Sequence, residues 1–328
     1  KSQYQDCILF FRLGDFYEMF YDDAKSAAKT LDLVLTARGR GTANEAPMCG
    51  IPYHAANGYI DRLIKAGHKV AICEQVEDPA VAVGIVRRDV IRVVSSGTYL
   101  DENSPDSRYI CALSPNGNTI GMAFTDPVSG TIQTNQFENP HKIIELLARL
   151  PIYECVFPAD EEKKIKELLG NPLLKSKILT LSPQTHWSFN TDIAAKNLCE
   201  HFSVLNLHGF GLDGLNMAVS SSGALLAYLK TMNRQPLRHI DRLSLFTDEE
   251  FVYLSPAANY GLEIETFFKT IDHTLTAMGK RQLRSWLRHP LRKVESIIQR
   301  QNAVTLLRSH SESLRNLREC LNPLPDLE

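Results

Sequence analysis

The chain has 328 residues, of which 44% are hydrophobic and 23% are charged, the composition of an ordinary globular protein. The length allows two or three domains with a core each, and no run approaches the ~20 apolar residues of a membrane-spanning helix. A formal net charge of -2 excludes the uniformly basic surface of a strong nucleic-acid binder, so any contact with DNA must rely on local positive charge.

The seven cysteines are odd in number, far apart in the sequence and never arranged as Cys-x-x-Cys. This spacing argues against a disulfide framework and a zinc site, and it predicts a cytoplasmic chain that works under reducing conditions. The start of the chain lacks the basic-then-apolar pattern of a signal peptide. Because the chain begins at Lys1 and ends at Glu328 without an obvious stop, we expect it to be a piece of a longer protein.

The first predicted element is a buried strand over 7–13, an apolar run that is interrupted only by Arg12. A glycine and an aspartate then mark a turn, and a helical pattern follows over 18–31. Phe16 leaves this turn two residues before Glu18. An aromatic side chain beside a carboxylate at such a strand-to-helix corner can push into a stack of bases and contact the base that it displaces.

The rest of the N-terminal part alternates between strand and helix. Strands are predicted near 33–38, 69–74 and 85–95, and a helix is predicted near 55–66. These elements predict a small mixed α/β domain over 1–98, followed by a turn-rich linker at 99–107.

A second α/β domain is predicted over 108–246. It opens with three short strands that form a meander, near 109–113, 119–125 and 131–137. Helices and strands then alternate, over 140–150, 153–157, 160–169, 177–181, 190–202 and 219–232. A meander followed by alternating helices and strands resembles the ribonuclease H fold.

The remainder, 247–328, is predicted to be α-helical, with helices over 259–268, 277–287 and 294–307.

Two groups of basic residues can supply local positive charge. The first group consists of Arg38 and Arg40, in a glycine-rich loop, and of Arg87, Arg88 and Arg92, on the strand predicted over 85–95. A second basic group follows in the C-terminal part, where a solvated helix face is the alternative explanation. It consists of Lys280, Arg281, Arg284, Arg288, Arg292, Lys293, Arg300 and Arg308.

The run Gly-Asp-Phe-Tyr-Glu, which ends at Glu18, resembles the Phe-x-Glu mismatch-recognition motif of the MutS family of bacterial DNA mismatch repair proteins. The similarity continues in order along the chain. Segments 46–55 and 70–76 resemble the mismatch-binding domain of that family, 207–212 a loop of its connector domain, and 272–279 and 283–291 the start of its helical core. The passage 254–263, at the entry to the core, departs from the family pattern.

The resemblance implies a mismatch-binding domain at 1–98, a connector domain similar to ribonuclease H at 108–246, and the truncated beginning of the helical core and lever domain at 247–328. It assigns the wedge to Phe16 and a hydrogen bond to the displaced base to Glu18. Further DNA contacts are expected from the neighbours of the wedge and from the basic residues, namely Leu13, Arg38, Arg40, Arg87 and Arg88.

The resemblance also implies partners. These are mismatched or looped double-stranded DNA, MutL at the connector, and a second copy of the chain in an intact homodimer, without membrane contact. Intact members of the family are DNA-dependent ATPases that use ATP and magnesium. This chain lacks the Gly-x-x-x-x-Gly-Lys-Ser/Thr loop that surrounds nucleotide phosphates. We therefore expect no catalytic residue, cofactor or metal ion in this chain, and no ATP hydrolysis by it.

Two alternatives remain open on the sequence. In the first, the chain is an interaction scaffold that lacks enough DNA surface and mainly docks MutL; mismatch binding that depends on Phe16 would distinguish the mismatch-binding function from this one. In the second, the connector is a metal-dependent nuclease of the ribonuclease H type around Asp126. Such an enzyme needs several carboxylates that converge on metal ions, and the sequence gives Asp126 no identifiable partners.

Overall fold

The chain folds into two mixed sheets with their helices, followed by a helical C-terminal segment. This is the fold class that the sequence predicts. The computed structural model describes residues 1–41, 45–77, 87–99, 108–127, 130–175, 177, 179–233, 236–247, 252, 254 and 256–324. Most of the predicted linker, from residue 100 to residue 107, and part of the predicted turn at Ser129 and Gly130 lie outside these residues.

The first sheet has six strands in the order β3-β4-β2-β1-β5-β6. β1 and β5 are parallel, and every other pair of neighbours in this sheet is antiparallel. The strands are β1 Cys7–Leu13, β2 Phe16–Phe20, β3 Thr36–Arg38, β4 Ala46–Pro52, β5 Lys69–Gln75 and β6 Arg88–Val94. Two helices, α1 Tyr21–Leu31 and α2 Ala56–Lys65, cover one face of the sheet.

The helix predicted over 18–31 begins only at Tyr21, because 18–20 belong to strand β2. Tyr17 and Met19 of this strand are buried while Phe16 is exposed, which is the period of two that a strand gives. The aromatic residues of this run favour the extended conformation. Phe16 therefore lies in a β-hairpin and not at the predicted strand-to-helix corner.

The second sheet has the order β11-β10-β7-β8-β9-β12, with an antiparallel meander of β7, β8 and β9 at its centre. The outer strands β10, β11 and β12 each run parallel to their inner neighbour. The strands are β7 Tyr109–Asn116, β8 Thr119–Thr125, β9 Thr131–Phe137, β10 Ile152–Pro158, β11 Thr180–Gln184 and β12 Arg242–Leu245. The helices are α3 Pro140–Arg149, α4 Glu162–Leu169, α5 Thr191–Phe202 and α6 Asn216–Met232.

Helix α6 packs on the meander and also reaches the first sheet, so the two sheets share one apolar cluster. A polar centre accompanies this contact. Glu154 of β10 is fully buried and lies 3.9 Å from the ammonium nitrogen of Lys69 on β5. Its carboxylate accepts hydrogen bonds from both parts of the molecule, namely from the Ser95 hydroxyl, the Gly97 amide, the Ser182 hydroxyl and the Tyr228 hydroxyl.

The C-terminal segment contains α7 Pro256–Gly261, α8 Ile264–Ile271, α9 Ala277–Arg288, α10 Val294–Ser309 and α11 Ser311–Leu321. The helix predicted over 259–268 is broken, because Glu263 adopts a left-handed conformation with φ 49° between α7 and α8. This break falls in the passage that departs from the family pattern. In the part of the chain that the structure describes, no helix is long and apolar enough to cross a membrane.

Candidate nucleic-acid interface

The β1–β2 hairpin turns within two residues. Leu13 and Phe16 face each other across the strands, and only Gly14 and Asp15 lie between them. Gly14 has φ 58°, a conformation that glycine adopts without the penalty of a side chain and that two-residue hairpin turns require. The Asp15 carbonyl accepts a hydrogen bond of 3.0 Å from the Tyr53 amide. Phe16 is thus the first residue after a tight turn that is held by a hydrogen bond from Tyr53.

Alternation along β2 sends neighbouring side chains to opposite faces of the sheet. Tyr17 and Met19 enter the core that α1 and α2 cover, whereas Phe16 and Glu18 lie on the other face. Near β1, β5 and β6 that other face joins the apolar cluster that also contains α6, and Phe11 packs against this cluster. Near β2, β4 and β3 it is more open, and Phe16 retains 48% of its exposure there.

Glu18 and Arg38, two of the predicted site residues, are in contact. The guanidinium of Arg38 on β3 lies 3.4 Å from a carboxylate oxygen of Glu18, and the Arg38 side chain remains 59% exposed. The strand between them contributes Gly50, which is paired with Glu18. A β-carbon at Gly50 would lie 3.7 Å from Glu18 Cγ and 3.9 Å from Phe16 Cδ1. The missing side chain leaves a shallow notch beside both residues.

The other predicted DNA contacts are more widely spread. Leu13 is half-buried beside Phe16, and Arg40 is exposed in the turn after β3. Arg87 precedes β6 at the far edge of the sheet, and its amide donates to Glu77 at 3.1 Å. Arg88 donates from Nε to the Arg12 carbonyl at 2.9 Å, at the end of β1. The structure therefore brings Leu13 next to Phe16 and Arg38 next to Glu18, and leaves Arg87 at another edge of the sheet.

Two further residues of this region, Gly50 and Arg12, are not among the predicted site residues. Each had a signal in the sequence. A glycine within an apolar segment such as 46–52 often marks a close approach of other groups. A single arginine within an otherwise apolar strand needs a partner for its charge, since burying an unpaired charge is costly.

Asp126 lies buried just after β8, close to Tyr109. Burial and the Asp126 carboxylate together raise the pKa of Tyr109 to about 12. Among the residues that the structure describes, no group of three or more His, Cys, Asp or Glu side chains is close enough together to hold a metal ion.

The chain matches three successive family domains along its length. Residues 1–103 match MutS domain I, residues 108–241 match MutS domain II and residues 242–328 match MutS domain III. The chain belongs to the MutS family. The first sheet with its hairpin is therefore MutS domain I, and most of the second sheet and α6 belong to MutS domain II.

Individual relatives agree with the MutS assignment. The chain is 35% identical to the DNA mismatch repair protein MutS of Alkaliphilus oremlandii, 36% identical to that of Anaeromyxobacter dehalogenans and 39% identical to that of Symbiobacterium thermophilum. Each alignment covers 100% of this chain and 38% or 39% of the relative. The chain thus spans about two fifths of the length of these MutS proteins.

The hairpin turn gives a direct test of the conformation that places Phe16. Replacing Gly14 by alanine is expected to lower the free energy of unfolding by about 1–2 kcal/mol, because a β-carbon penalises the left-handed region. The matched control is Gly58→Ala within α2, which is expected to raise stability by about 0.5–1 kcal/mol. Neither added methyl meets an atom within 4 Å, so only backbone conformation separates the two variants. Equal urea-unfolding midpoints for both variants would contradict the turn described here.

Proposed function

We propose that this chain binds mismatched or looped double-stranded DNA at the open half of the first sheet and so starts DNA mismatch repair. One observation supports this most: in a member of the MutS family, the hairpin presents an exposed Phe16 next to Glu18. Phe16 would be the wedge that enters the mispaired step from the minor groove, and Glu18 would hydrogen-bond the displaced base.

The physical basis is the weak stacking of a mispaired step. An apolar side chain that enters a duplex unstacks a step at a cost of a few kcal/mol and kinks the DNA by roughly 20–90°. A mismatch lowers this cost because its bases already stack poorly. Selection then depends on how easily the DNA deforms and not on its sequence, which suits a protein that must find a mismatch in any context.

Glu18 adds discrimination against matched DNA. A carboxylate near phosphates is repelled, so a matched duplex that offers no compensating hydrogen bond is disfavoured. At a mismatch, a protonated carboxyl group can donate a hydrogen bond to the displaced base. Arg38 offsets the charge of Glu18 in the free chain, and its exposed guanidinium can turn to a phosphate when the DNA arrives.

Leu13, Arg40, Arg87 and Arg88 complete the proposed surface. Leu13 faces Phe16 across the hairpin and would touch the groove beside the wedge. The arginines would contact phosphates, which hold the duplex in register without reading its sequence. Their limited number is consistent with a chain of net charge -2, in which positive charge is local.

The family also suggests how this chain works within a longer protein. We propose that residues 1–98 bind the mismatch, that 108–246 form the connector and offer a surface to MutL, and that 247–328 begin the core and lever domain. Dimerisation and ATP hydrolysis with magnesium would depend on parts of the intact protein beyond domains I to III. The cytoplasmic location indicated by the cysteines stays a prediction.

The wedge is tested by fluorescence anisotropy with a labelled G·T duplex and its matched counterpart at one low salt concentration. Phe16→Ala is expected to reduce the preference for G·T by about tenfold or more, because stacking of a base on an aromatic side chain contributes about 1–3 kcal/mol. Trp187→Ala removes another exposed aromatic side chain, in the second domain, and should leave the preference unchanged. A preference that survives Phe16→Ala would refute the wedge assignment.

The role of the acid is tested by Glu18→Gln. Removing the negative charge is expected to strengthen binding of the matched duplex several-fold and so to narrow the gap between matched and G·T DNA. Asp22→Asn makes the same change of charge on α1, at a side chain that is 93% exposed, and should alter neither affinity. If both variants strengthen matched binding equally, the effect is one of total charge and Glu18 has no specific role.

A further inference from the structure

Arg12 reaches from β1 back to the turn that carries Phe16. Its Nε donates to the Gly14 carbonyl at 2.5 Å. The guanidinium carbon lies 3.7 Å from the centre of the Tyr53 ring, and a terminal nitrogen lies 3.6 Å from a Glu74 carboxylate oxygen. The Arg12 side chain is only 18% exposed, so its charge is held among protein groups.

The surroundings of Arg12 lie on the face opposite to Phe16. Tyr17, the next residue along β2, points to this face and its hydroxyl donates to Glu74, the same acid that faces Arg12. Burial, followed by the hydrogen bond to Glu74, raises the pKa of Tyr17 to about 12, so the hydroxyl keeps its proton at neutral pH. Arg12, Glu74 and the rings of Tyr17 and Tyr53 thus pack together on the side of the hairpin opposite to Phe16.

Both carbonyls of the turn are held from outside the turn. The Arg12 side chain donates a hydrogen bond to the Gly14 carbonyl, and the Tyr53 amide donates one to the Asp15 carbonyl. Tyr53 also provides the ring under the Arg12 guanidinium. The orientation of the two peptides before Phe16 is therefore fixed by a single connected group of side chains and backbone.

We propose that Arg12 is a positioning residue for Phe16: by holding the Gly14 carbonyl from the rear face, it keeps the wedge in the orientation that enters the base stack. This inference rests on the proposed role of Phe16. A wedge that must push bases apart gains from a rigid support, since ordering it during binding would lower affinity. Arginine suits the task because its planar fork can bond a carbonyl, stack on a ring and face an acid together, which a lysine cannot do.

Direct phosphate contact is the competing role for Arg12. The structure disfavours it, because the side chain is largely covered and its charge faces Glu74. Arg12→Lys separates the two roles, since lysine keeps the charge and most of the stem but loses the fork. A phosphate contact contributes about 0.9 to the slope of log affinity against log salt, and lysine would preserve that contribution.

The experiment compares wild type with Arg12→Lys, and uses Arg62→Lys on α2 as the matched control, whose exposed guanidinium makes one hydrogen bond of 3.3 Å to the Thr30 carbonyl. Three quantities are measured: amide hydrogen exchange at Tyr53, affinity for G·T and matched duplexes over a range of salt, and the urea-unfolding midpoint. The Tyr53 amide reports on the turn because it donates to the Asp15 carbonyl.

For Arg12→Lys we expect faster exchange of the Tyr53 amide, a G·T preference reduced by roughly tenfold through misplacement of the wedge, and an unchanged matched affinity and salt slope. The unfolding midpoint should stay near that of Arg62→Lys. An intact G·T preference would overturn the proposal, as would a lost preference with unchanged Tyr53 exchange. If wild type itself shows no preference for G·T, the proposed function fails, and Tyr53 exchange still decides whether Arg12 fixes the turn.

Discussion

The register of the β1–β2 hairpin is the constraint on which the rest of this surface depends. Because side chains alternate along a strand, a slip of one residue would send Phe16 into the core and Tyr17 to the outside. The two-residue turn with Gly14 at φ 58° excludes such a slip, and the buried Tyr17 and Met19 reinforce it from the core. A local backbone conformation thus decides which residue of the hairpin is exposed.

The same sheet also connects the surface to the second domain. β1 lies between β2, which carries Phe16, and β5, which carries Lys69. Lys69 approaches the buried Glu154 of β10, whose carboxylate collects hydrogen bonds from both domains. Phe16 pairs with Leu13 at one end of β1 and Lys69 pairs with Cys7 at the other end, so the length of this strand separates Phe16 from Lys69. In the proposed function, a Phe16 inserted into DNA would lie on the same sheet that packs against domain II.

The sequence predicted most of the fold because its signals are local. The apolar run of β1, the meander, and the helices over 55–66 and 277–287 follow from periodicity and turn residues. Strand β2 was not predicted because its five residues directly precede a helix. So short a run gives too few alternating buried and exposed positions to be recognised as a strand. The pairing of Glu18 with Arg38 could not be predicted, since it depends on β4 lying between strands that are 20 residues apart in sequence. The contact of Arg12 with Tyr53 is non-local in the same way.

Entry of Phe16 into the base stack at a mismatch can be measured by 2-aminopurine fluorescence. The probe is placed next to a G·T pair in one duplex and next to a G·C pair in an otherwise identical one, because its emission rises when it loses its stacking neighbour. Our account predicts that binding of the chain raises the emission beside the G·T pair and leaves it nearly unchanged beside the G·C pair. Saturated binding to G·T without a rise in emission would contradict it.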